Sequence, residues 1–272
     1  MLNPSTPVLI DSHVHTDDER LKADRPAVLH AARSANVVAQ VVPAISQRLW
    51  PRVQAVCAAE SDLYACYGLH PCFCDEHLDA HIEELPLWLG RERPVAVGEC
   101  GLDYQIVDAD RAKQQKLFSA QLALAREFDL PIVIHARRAV EDVIRMIRSS
   151  GHYRGVVHSF NGSAQQASRL IDLGYKLSFG GAVSFSRAKR LREMIRHLPL
   201  DAMLLETDAP DQADQSHQGQ RNEPAYLVDV WQAISELRDE DANKIAHATT
   251  ANAIELFRLP LTINVDSLAV EH

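Results

Sequence analysis

Short apolar runs alternate along the chain with longer stretches whose apolar residues recur every three or four positions. The runs cover residues 8–10, 37–42, 63–67, 94–98, 131–134, 155–157, 175–179 and 202–205. Near-continuous apolarity is what parallel strands covered on both faces require, because neither face meets water. The stretches between them read as amphipathic helices. In residues 111–128, Leu117, Gln121, Leu124 and Phe128 trace one helical face, with Leu122 and Ala125 beside it. Eight strand–helix units predict an α/β fold, a TIM (β/α)8 barrel rather than an open sheet. Residues 211–221 are polar and Gln-rich and read as a loop after the eighth strand. Residues 226–237 and 241–257 read as helices that close the chain, and residues 260–272 as a tail without an assigned role.

Composition narrows this picture. The chain has 272 residues, 46% hydrophobic and 24% charged, the balance of a globular protein. One α/β barrel fills that length, so a single domain over 1–272 is expected, with its core at about 8–258. The 28 Lys and Arg against 37 Asp and Glu leave a net charge of −9. That argues against strong non-specific nucleic-acid binding, which depends on cationic side chains releasing counterions. A nucleic-acid substrate stays open, because bound metal can supply positive charge locally. The five cysteines are odd in number and lack CxxC pairs, which points to a reducing cytoplasm. Residues 1–7 carry no basic, then apolar, leader pattern. No apolar run approaches the roughly 18 residues of a membrane span. A cytoplasmic protein without membrane attachment is the expectation, and a monomer suffices.

In a barrel of this kind the chemistry sits where strands end. After the first strand comes Asp11-Ser12-His13-Val14-His15, with His13 and His15 spaced to converge on one metal. The third strand leads to His70, the fourth ends in Glu99, the fifth in His135, the sixth in His158 and the eighth in Glu206-Thr207-Asp208. Each has a blander reading: a lone His is usually structural, Glu99 could decorate a turn between Gly98 and Gly101, and Asp208 could start one before Ala209-Pro210. Imidazoles and carboxylates at six of eight predicted strand ends are hard to explain as core filling, and they predict a metal site.

The motifs His13-Val14-His15, Gly68-Leu69-His70-Pro71, Gly98-Glu99-Cys100-Gly101-Leu102-Asp103-Tyr104, Ile134-His135-Ala136-Arg137 and His158-Ser159-Phe160-Asn161-Gly162 resemble those of the TatD family of metal-dependent hydrolases. So do Glu206-Thr207-Asp208-Ala209-Pro210, Arg221-Asn222-Glu223-Pro224 and the late Asn252, Leu256 and Phe257. The resemblance implies a TIM barrel of the amidohydrolase superfamily with two divalent metals, and deoxyribonuclease activity in several members. By that resemblance His13, His15, Glu99 and Asp208 would hold one metal. Glu99, His135 and His158 would hold the second, with Glu99 bridging. His70 would line the substrate side. Arg137 is a substrate-side candidate, and Glu206 could orient a ligand histidine. The fourth-strand segment offers no lysine for a carbamylated bridge. The His-rich set leans toward Zn or Mn over Mg.

The sequence departs from the family's usual pattern at Arg138, Ser159 and Asn161, and its loop 211–220 resembles the YjjV-like branch. These departures leave the ligands intact and bear on substrate. The expected function is hydrolysis of DNA phosphodiesters, at single strands or ends. Bound metal would acidify the attacking water, with Asp208 as general base or water-orienting group. A small carboxylic ester, lactone or amide is the alternative substrate. A non-catalytic nucleic-acid-binding scaffold is the alternative from another class. Two side features have weaker readings. Cys72 and Cys74 flank Phe73 near His70 and His77, a poor zinc spacing. The basic run 187–192 with Arg196 reads as a solvated helix face or a phosphate contact, with Lys189, Arg192 and Arg196 near one face.

Overall fold

The computed structural model describes residues 7–261; the expectations for the extreme N-terminus and for the tail after residue 261 lie outside the described residues. The strands are β1 (Leu9–Asp11), β2 (Val37–Ala44), β3 (Leu63–Tyr67), β4 (Ala96–Asp103), β5 (Ile132–Arg137), β6 (Gly155–Val157), β7 (Tyr175–Phe179) and β8 (Met203–Leu205). They pair in parallel, in chain order, in one eight-stranded sheet. Backbone bonds just beyond the strands close β1 on β8: Ser12 N–H donates to Leu205 O at 2.9 Å and Asp208 N–H to His13 O at 2.9 Å. The fold is the predicted TIM barrel.

The helices are α1 (Arg25–Ser34), α2 (Trp50–Ala58), α3 (Asp79–Glu92), α4 (Arg111–Glu127), α5 (Val140–Ser150), α6 (Ala164–Asp172), α7 (Lys189–His197), α8 (Leu227–Ser235) and α9 (Ala242–Phe257). Side chains alternate along each strand, so each serves two cores. Leu9, Val37, Leu63, Val97, Ile132, Val157, Leu177 and Leu205 pack outward on the helices. Ile10, Ala39, Cys66, Ala96, Val133, Val156 and Leu204 form the barrel interior, which Ala253, Leu256, Phe257 and Leu259 plug at the strand-start end. Asn252 fastens that plug by donating to Leu200 O at 2.7 Å and Met203 O at 2.8 Å. The late Asn252 motif is therefore structural.

One strand differs from expectation. β4 does not end at Glu99 but runs four residues further, with a register shift against β5 between Val97 and Cys100. Gly98 and Gly101 have φ of 140° and 136°, conformations open to glycine. A Cβ on Gly98 would stand 2.7 Å from Val133 O, and one on Gly101 would overlap the His135 carbonyl. The glycines thus let the strand continue against β5 instead of stopping it, and the shift falls at Glu99.

Candidate metal centre

Two-residue steps from interior positions carry the site side chains to the open end of the barrel: Val133 to His135, Val156 to His158, and Leu204 to Glu206 and Asp208. Glu99 is their meeting point. Its Oε2 lies 3.2 Å from His13 Nε2 and 3.7 Å from His15 Nε2. Its Oε1 lies 2.7 Å from His158 Nε2, 3.2 Å from His135 Nδ1 and 2.9 Å from His70 Nε2. Asp208 Oδ1 completes the first side at 3.5 Å from Nε2 of both His13 and His15. His13, His15 and Glu99, and Glu99, His135 and His158, each present ligand atoms close enough to share one ion, with Glu99 common to both.

The surroundings hold these groups in place. His70 Nδ1 accepts from Cys72 N–H at 3.0 Å, so its Nε2 faces Glu99. The buried Gln121 amide bonds both Leu69 N–H at 2.8 Å and Leu69 O at 3.2 Å, which fixes the backbone before His70. His135 Nε2 lies 3.1 Å from Asp103 Oδ2, and Gln114 pins Asp103 N–H and O at 2.9 and 3.2 Å. Asp11 ties β1 to β8 by accepting from Thr207 N–H at 3.0 Å and His13 N–H at 3.2 Å. Glu206 is fully buried, accepts from Ser159 N–H at 2.7 Å and from the Ser178 hydroxyl, and stands 3.8 Å from His158 Nδ1. Asp103, Asp11 and Gln114 were not singled out from sequence. The available signal was a glutamine on the inward face of an amphipathic helix, as at Gln121.

Electrostatics and donor chemistry both fit a metal. Burial raises the Glu99 carboxyl, but His70, His158 and His13 outweigh it and hold it well below the usual carboxylate range. Burial opposes charge on His158, yet Glu99 and Glu206 push it well above an ordinary imidazole. Burial lowers His13, and brings His70 down to about 4. Glu99 is thus held ionised while burial keeps His13 and His70 toward the neutral form, the states in which carboxylate and imidazole bind metal. His13 is buried, and neither of its ring nitrogens has a hydrogen-bond partner, nor does Nδ1 of His158. Leaving such an atom unpaired costs on the order of 1–3 kcal/mol, and an ion between Glu99 Oε2 and Asp208 Oδ1 would satisfy His13 Nε2, which faces both.

The centre floors a cavity of about 1490 Å³. Arg137 and Arg138 line it, and neither side chain makes a hydrogen bond or ion pair with any described residue. Arg20 and Arg52 on the same wall system are tied to Asp18, Asp211, Asp17 and Glu19. Of the basic run, the residue that reaches the cavity is Arg190, not Lys189, Arg192 or Arg196. Arg192 bonds Val183 O at 2.8 Å and Arg196 pairs with Glu193, because the turn of α7 aims these side chains elsewhere. Cys72 faces Asp103 at 3.6 Å while Cys74 is buried, so the two thiols do not assemble a zinc site.

The profile of the family described as TatD related DNase matches residues 10–258, which span every one of these ligand candidates. The chain belongs to the TatD family. It is 41% identical over 254 residues to the uncharacterized metal-dependent hydrolase YjjV of Escherichia coli K12, covering 92% of this chain and 98% of that protein. It is 34% identical to the uncharacterized metal-dependent hydrolase YabD of Bacillus subtilis 168, covering 93% and 100%. The crystal structure of the TatD homologue YjjV superposes with a TM-score of 0.90 at 40% identity, over 93% of this chain and 98% of that one. This TatD-family member is a metal-dependent hydrolase. No described helix is long and apolar enough to cross a membrane.

Proposed function

We propose that this TatD-family hydrolase cleaves phosphodiester bonds of DNA, at single strands or free ends, with two divalent ions. The observation that carries the reading is the division of Glu99: one oxygen faces His13 and His15, the other His135 and His158. Bound ions at the two sides would acidify the attacking water and offset charge on the phosphoryl oxygens. His13, His15, Glu99 and Asp208 hold one side, and Glu99, His135 and His158 the other. Asp208, whose Oδ1 stands 3.5 Å from Nε2 of both His13 and His15, would take the proton from that water. Glu206 orients the His158 loop, and His70 lines the substrate side. Arg137 and Arg138, unpaired at the mouth, offer charge-assisted donors to phosphate oxygens. The cavity exceeds the roughly 300–1,000 Å³ of small-molecule pockets, which suits a strand end. The His-rich donors favour Zn or Mn over Mg, and five free thiols suit the cytoplasm.

The test is metal-stripped protein re-supplied with Zn, Mn or Mg singly, assayed on single- and double-stranded oligonucleotides and on a panel of carboxylic esters, lactones and amides. Metal-restored cleavage of oligonucleotides is expected, with Arg138→Gln raising KM about tenfold for DNA. Turnover confined to the small panel would transfer the centre to a carboxylic substrate. Nucleotide binding with no metal-dependent turnover of anything would make it a scaffold.

A further inference from the structure

The loop after β8 returns over the cavity at Gln212, a residue that neither the ligand set nor the proposed chemistry uses. Gln212 lines the cavity, and its φ of 52° is left-handed, which a non-glycine residue holds only where contacts keep it there. The loop around it is anchored: Asn222 Nδ2 donates to Thr207 O at 2.8 Å and to Asp211 O at 2.7 Å. Gly181 leaves the space into which the Gln212 carbonyl packs, since a Cβ there would overlap it.

The Gln212 side chain makes two bonds of opposite sense. Its Oε1 accepts from Ser159 Oγ at 2.8 Å, and its Nε2 donates to Asp208 Oδ2. An ionised carboxylate only accepts, so the amide can face Asp208 in one orientation alone. With Oδ2 held, Oδ1 is the oxygen left toward His13 and His15. Ser159 directly follows His158, and its N–H is held by Glu206. Gln212 thus links Asp208, beside His13 and His15, to the loop bearing His158, by a path independent of Glu99.

We propose that Gln212 is a positioning residue, which holds Asp208 as a one-oxygen donor to the His13–His15 side with Ser159 bracing it. The inference rests on Asp208 serving the metal centre. Its consequence is that Ser159 and Gln212, which come from different loops, work as a pair.

The experiment uses the full chain reconstituted with Co2+, whose visible absorption reports ligand number and geometry. Cobalt affinity is measured by chelator competition, and kcat and KM on bis(p-nitrophenyl) phosphate. In Gln212→Met, cobalt affinity at one of the two sites or kcat should fall about 10-fold, the lower end of losses for residues behind a ligand. KM should stay within about twofold and the spectrum should shift. Gln212→Glu keeps an acceptor for Ser159 but sets a carboxylate against Asp208, and should do worse. Ser159→Ala should act in the same direction and add little to Gln212→Met, as a shared path requires. In an Asp208→Asn background, Gln212→Met should leave the cobalt spectrum unmoved. Unchanged affinity and spectrum in Gln212→Met, or an equal change with and without Asp208, overturns the proposal. If the wild type turns over no phosphodiester, the nuclease reading fails, and cobalt affinity and spectrum still decide for Gln212.

Discussion

Asp103 Oδ2 and His135 Nε2 lie 3.1 Å apart, so the ring nitrogen left to face Glu99 is Nδ1. This pairing selects the tautomer of one ligand candidate. Burial opposes charge on His135, but Asp103 and Glu99 outweigh it and raise its pKa. Replacing Asp103 by Ala should free the ring to rotate and weaken metal affinity about 10–100-fold. Chelator competition would measure this, with circular dichroism to show an intact barrel. Affinity equal to wild type would remove Asp103 from the centre.

Glu99→Gln and Glu206→Gln should separate. Glu99 touches both triads, while Glu206 reaches His158 only at 3.8 Å. Bound metal per chain, measured by elemental analysis after desalting, should fall at both sides in the first variant. In the second it should persist with reduced affinity. Equal loss, or a larger loss for Glu206, contradicts a bridging role for Glu99.

Asp208→Asn keeps the volume and the neighbour Gln212 while removing charge and most basicity. At saturating metal, turnover should drop by at least about 100-fold, within the range attributed to a positioned base. The thermal midpoint should stay close to wild type, and ions held by His135 and His158 should remain. Near-normal turnover under those conditions leaves Asp208 neither base nor essential ligand.

His152 offers a pH test remote from the metals. It is buried below the barrel, with Nε2 2.9 Å from Leu130 O and Nδ1 3.1 Å from the Tyr175 hydroxyl, and burial lowers its pKa from the ordinary 6.5. The folded state therefore binds fewer protons than the unfolded one. Its contribution is fully present above about pH 6.5 and is lost as pH falls toward the depressed folded value. In His152→Gln that part of the acid sensitivity should vanish. Denaturant titrations from pH 7.5 to 5 should show wild type losing up to ~1.4 kcal/mol per pH unit more than the variant. Parallel curves would show that His152 does not remain neutral in the fold.

The eight strands and the ligand candidates are legible in sequence for one reason: a barrel buries its strands on both faces and collects chemistry at their ends. What stayed hidden depends on contacts between distant residues. Gln121 looks like an imperfection in an apolar stripe until its amide meets Leu69, 52 positions earlier. Gln212 reads as one of several loop glutamines, because Ser159 is 53 positions away. Asp103 was unassigned because Gly101 suggests a strand ending, whereas the close approach of β5 is what calls for glycine there. The basic run did not reveal its cavity-facing member, since successive helix residues point about 100° apart and the packing of α7 on the barrel decides that Arg190 is the one turned inward.

Leu261 packs on the same buried cluster as Leu256, Phe257 and Leu259, the plug at the strand-start end of the barrel. The chain therefore leaves its last described residue on the side of the barrel opposite the cavity mouth. A surface anchor or reporter attached beyond that point would present the open end outward, so tethered molecules could be probed with long oligonucleotides without the support shielding the mouth. Shortening the chain into α9 would have the reverse effect, because it would open the interior to water from beneath.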